Sequence, residues 1–183
     1  MANINKAFGM RLMRKPGGGS FSVNKYYAAA GYATALFIGD AVVHVGNTNT
    51  AEVRSGNETH DIGSLLEINA VADGDSNDIT GVIVGFEADP SNTTRVHNPA
   101  STERVVLVCD DPDALYEIQA SATLALDDIG NNAALDVGTA GSAVTGMSGM
   151  QLDTTTVATT NTLQLHIVRY STDPARNDAT VAN

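Results

Sequence analysis

The stretch CDDPDALYEIQ, residues 109–119, places three aspartates and a glutamate within nine residues. Carboxylates at that density can hold a hard cation such as Ca²⁺, which takes about six to eight oxygen ligands. They can equally serve a turn, where Asp bonds its own backbone and Pro fixes φ. With only local carboxylates and no glycine-spaced loop, Asp110, Asp111, Asp113 and Glu117 read as solvated turn residues. A second acidic tip, DGDSND at residues 73–78, sets Asp73, Asp75 and Asn77 at alternate positions like half of an EF-hand. It lacks the rest of that motif: Asp78 stands where Gly is required and Val84 where a bidentate Glu is required.

Other chemistries find less support. His44, His60, His97 and His166 are scattered without the partner spacing of a zinc site, and no metal ligand set is assigned. His44 and His166 fall in predicted strands and are expected to be half-buried or to lie at an interface. GMSGM around Ser148 resembles a nucleophile elbow but has Met150 where the second Gly belongs. Cys109 closes an apolar run and reads as a small core filler without a partner for a disulfide. GGGS at residues 17–20 lacks the Lys and Ser/Thr of a phosphate loop. No base, nucleophile and oxyanion donor assemble, so the chain is not read as an enzyme and no cofactor is expected.

The elements that would carry these residues are strands. Apolar, β-branched runs such as ITGVIVGFEA and RVVLVC alternate with Asp/Gly/Ser/Asn clusters at spacings of roughly 8 to 12 residues. A sustained helical period is missing, apart from a short helix expected in ALDDIGNNAAL or in residues 26–36. The expected fold is all-β: a single β-barrel or β-sandwich body over residues 31–170. ALFIG is expected to enter the barrel as a strand, and the alternation over residues 163–170 predicts a long one. Residues 171–183 read as a tail or a last short strand.

Charge divides the chain of 183 residues, whose net charge is −11. Residues 1–39 hold Lys6, Arg11, Arg14, Lys15 and Lys25 with no acid, whereas the remaining 144 carry five basic and 21 acidic groups. An acidic body does not track nucleic-acid phosphates, so direct nucleic-acid binding is not expected. The basic leader contains RKPGGGS, a linker-like composition, and residues 1–30 are expected to form an extended arm. The most apolar run, residues 28–39, is about half a membrane span, and no membrane association is expected. Without the pattern of a signal peptide, the protein is expected to remain in the cytoplasm where it is made.

Taken in order, ALFIGDAVVHVG, GVIVGFEADP, RVVLVCDDPDALYEIQ and LDTTTVATTNTLQLHIV resemble the small decoration or cement proteins of tailed-bacteriophage heads, of the podovirus type. The resemblance runs from about residue 33 to residue 170. It implies a tulip-like β body that binds the exterior of an icosahedral shell, as a homotrimer, and cements neighbouring copies of the major capsid protein. On that reading Lys6, Arg11, Arg14, Lys15 and Lys25 are the docking residues of the arm. The alternative is a surface-displayed module that binds carbohydrate or is stabilised by Ca²⁺ at its Asp-rich tips.

Overall fold

A computed structural model describes residues 6–56, 58–72, 78–89 and 91–171. Asp73, Asp75 and Asn77 of the acidic tip, and the tail beyond Ser171, lie outside the described residues. The fold is all-β. Its strands are β1 (Arg11–Arg14), β2 (Val23–Ala28), β3 (Ala41–Thr48), β4 (Val53–Ser55), β5 (Glu58–His60), β6 (Leu66–Ala70), β7 (Gly81–Phe86), β8 (Arg104–Cys109) and β9 (Leu115–Glu117). A 3₁₀ turn at Leu126–Asp128 follows, within the stretch expected to hold a short helix. Then come β10 (Asn132–Ala133), β11 (Leu135–Asp136), β12 (Gln151–Leu152) and β13 (Leu165–His166).

Five strands close a barrel in the order β2-β6-β3-β7-β8. All neighbours are antiparallel except β2 and β6, which meet in parallel at Tyr27 and Glu67. Alternation along the strands sorts the side chains. Tyr26, Ala28, Val42, Ile68, Ile83, Val106 and Val108 fill the interior. On the outer wall, Ala41, Val43 and Val82 pack under Met10, Leu135 and Met150, while Tyr27 and Val105 pack under Val53 and Leu65. The barrel is therefore covered on two sides, by the short pairings of the C-terminal half and by the β4–β5 hairpin. Gly81 belongs to this close packing, because a Cβ there would stand 2.4 Å from the Cys109 carbonyl oxygen.

The leader departs from the expected arm. β1 pairs with β9, more than a hundred residues away, and β2 is a barrel strand paired along its whole length with β8. Met10 is buried, and its N–H donates to the Gly39 carbonyl at 2.8 Å. The boundary drawn at residue 30 therefore moves: residues 8–14 and 23–28 belong to the body, and RKPGGGS links two of its strands. The physical reason is burial plus charge pairing, which a linker-like composition does not reveal.

Two other expectations are corrected. ALFIG forms no strand; Leu36 and Ile38 make single bridges to Asn98 and Met147, and the chain turns at Gly39, whose φ is +93°. The long strand expected over residues 163–170 shrinks to β13, next to which the Gln164 side chain accepts the Leu135 N–H.

Candidate docking groove and charged clusters

The acidic corner after β8 and the basic leader answer one another. Arg11 pairs with Glu117, and Lys15 Nζ donates to Asp111 at 2.8 Å. Asp111 also accepts the Ser22 and Asp113 N–H groups, so the corner is an Asx turn with a cation docked on it. The hydrogen bond from Lys15, together with those N–H groups, holds the Asp111 carboxyl below the usual range. Asp110 accepts from Tyr26 Oη and Asn24, both at 2.8 Å. Burial raises its pKa, but these donors outweigh burial and leave the carboxyl lowered. Of the four carboxylates that would have offered oxygens to Ca²⁺, Asp110, Asp111 and Glu117 each accept from protein donors.

Beside this corner runs an open groove of about 1470 Å³, walled by the leader, the β8–β9 turn, residues 139–149 and residues 164–171. Met13 and Val168, each about half exposed, give it apolar surface. Lys6, Arg14 and Arg169 border it, and no ion pair or hydrogen bond engages their side chains among the described residues. Of the expected docking residues, then, Lys6 and Arg14 face this groove unengaged. Arg11 and Lys15 also line it or lie next to it, but are bound to Glu117 and Asp111. Lys25 lies elsewhere, on the outer face of β2. Arg169, which sequence reading did not single out, joins the first two because the chain returns past the leader after β13.

Lys25 meets a second cluster. Its ammonium bonds Glu58 and lies 2.6 Å from Glu87, with His60 Nε2 3.8 Å and 3.7 Å from the two carboxylates. The register of the β4–β5 hairpin places Glu58 and His60 on one face, opposite Ser55 and Val53. The buried Val53 presses that face onto the barrel wall. The Glu58–x–His60 spacing is present in the sequence as NETH, but Lys25 and Glu87 join it only through the fold. The other histidines stand apart: His44 and His166 are exposed, which removes the half-buried alternative for both, and His97 stacks on Phe37 at 5.1 Å.

Ser148 lies buried beside Asp40, not at a nucleophile elbow, and its hydroxyl accepts the Met150 N–H at 3.1 Å. Burial pushes the Asp40 carboxyl up to about 6, against hydrogen bonds from Ser148 and the Phe37 N–H. The folded state thus holds a proton that the unfolded chain releases near 3.8. Stability from neutral Asp40 is full below that value and is lost as pH rises through about 6, a change on the order of 2–3 kcal/mol. Asp40→Asn removes this dependence. Urea melts at about pH 4 and pH 7 are expected to show the variant gaining roughly 2 kcal/mol on wild type between the two; parallel curves would contradict a buried carboxyl held neutral.

Among the described residues no helix is long and apolar enough to cross a membrane. Comparison of the chain with protein-family models, with curated proteins and with solved structures gives no match.

Proposed function

We propose that the protein is a structural component of a tailed-phage head, which binds the outer surface of the shell and cements neighbouring copies of the major capsid protein. The observation that carries this reading is the groove. A chain with net charge −11 gathers there three cations left unengaged by its own described residues, Lys6, Arg14 and Arg169, around exposed Met13 and Val168. Most of the other described cations are spent on the protein's own acids or carbonyls. Unspent positive charge on an acidic protein selects an acidic partner surface and steers its approach. The resemblance to phage cement proteins supplies the class of that partner, and the all-β body suits a passive clamp.

Binding is multivalent on this reading. A homotrimer presents three grooves to a repeating lattice, so modest affinity at each is multiplied across the shell. The protein is made in the host cytoplasm and ends on the virion exterior, without catalysis and without touching the packaged nucleic acid. Reversing the rim with Lys6→Glu, Arg14→Glu and Arg169→Glu together is expected to lower affinity for purified heads at least about tenfold in cosedimentation. The melting temperature should stay unchanged, because these side chains hold nothing within the described body. Undiminished binding by the folded variant would remove the groove from the mechanism.

A further inference from the structure

The Lys25 cluster has the composition of a metal site with a protein cation standing in it. Glu58, His60 and Glu87 each offer one ligand atom, all within 4.8 Å of one another. His60 Nε2 is buried and has no hydrogen-bond partner, although two carboxylates lie just beyond bonding range. An imidazole nitrogen left over between two carboxylates is poorly explained by an ion pair alone, since Lys25 satisfies the carboxylates without it. One imidazole and two carboxylates match the donors of zinc and its first-row neighbours, whose bonds of about 2.0–2.2 Å set ligand atoms roughly 3.4 Å apart. The spacings from His60 Nε2, 3.7 and 3.8 Å, need only a small contraction, and the two carboxylates, within 4.8 Å of each other, would close the rest.

We propose that Glu58, His60 and Glu87 bind a divalent transition-metal ion, zinc by preference, and that Lys25 occupies the cation's place until the metal displaces it. Glu58 sits at the exposed lip, and the Lys25 side chain is 37% exposed, so the ammonium has a path into solvent. Glu87 follows β7 and His60 ends the hairpin, so the bound ion would clip the β4–β5 hairpin to the barrel wall. Three protein ligands leave a four-coordinate zinc one position, for water or for a carboxylate of a docked neighbour.

The full chain titrated calorimetrically with Zn²⁺ is expected to bind one ion, and Lys25→Met to bind at least about tenfold more tightly because the competing ammonium is gone. His60→Gln is expected to bind at least about tenfold more weakly. Should either variant fail to fold, Co²⁺ added to the wild-type chain reads the same site, through visible absorption bands that Zn²⁺ then bleaches. Absence of both Zn²⁺ heat and Co²⁺ bands, or Zn²⁺ binding that survives His60→Gln undiminished, overturns the proposal.

Discussion

Gly9→Ala is expected to lower the melting temperature by roughly 10 °C, a large effect for one added methyl group. Gly9 has a φ of +71°, where a side chain costs about 1–2 kcal/mol. Space compounds the strain: a Cβ at Gly9 would stand 2.4 Å from Ser148 Cβ and 2.7 Å from the Gly39 carbonyl oxygen. Both neighbours belong to packed segments, so relief requires the leader to lift, at a further cost on the order of 1–3 kcal/mol. Lifting breaks the Met10 to Gly39 hydrogen bond and loosens the pairing of β1 with β9. Amide exchange at Met10 and Leu12 should therefore accelerate along with the loss of stability. Gly17 is the internal control: its φ is +85° and a Cβ there would meet nothing within 4 Å, so Gly17→Ala should show the strain without the clash. A Gly9→Ala protein that melts with wild type would mean the leader is not seated as described.

Arg104→Met is expected to cost on the order of 3 kcal/mol, measured by urea denaturation. The Arg104 side chain is buried at the start of β8, with its guanidinium 5.0 Å from the centre of the Phe86 ring. It donates to the Glu87 carbonyl at 2.8 Å and the His97 carbonyl at 2.9 Å. Burial lowers its pKa, offset only in part by the nearby Asp89 charge, but a guanidinium stays ionised at any working pH. Methionine keeps the apolar stem against Phe86 and strips both carbonyls of their donor. The loop after β7, which Arg104 ties to the barrel, then loses its anchor. Arg104→Lys keeps the charge but not the fork, and should fall between the two. A cost below about 1 kcal/mol for Arg104→Met would show that water replaces the guanidinium freely.

Much of the barrel is legible in the chain because its signal is local. The runs at β7 and β8 announce themselves through β-branched residues bounded by turn formers, and the Asp-Pro break before β9 is read correctly as a turn. What is not legible is non-local. RKPGGGS looks like a tether, and nothing in residues 8–14 says that Met10 finds a pocket or that Arg11 and Lys15 find Glu117 and Asp111 about a hundred residues on. The acidic corner and the basic leader are each conspicuous in the sequence; that each is the other's partner is a property of the fold. The site follows the same rule. Lys6 and Arg14 are visible as leader charges, whereas Arg169 reaches the same groove by the path of the last strand, and Glu87 reaches His60 across the barrel wall.

These internal pairings also change how the leader must be tested. Deleting residues 1–20 would strip β1 and Met10 from the body and confound folding with attachment, whereas charge reversal at the rim leaves the packing in place. Cosedimentation of the wild-type chain with purified heads lacking it tests most directly the proposal that the protein clamps the outside of a phage shell. Binding is expected to saturate at a fixed ratio to the major capsid protein and to weaken as salt rises. A folded chain that stays in the supernatant at every salt concentration and every protein excess would contradict the claim.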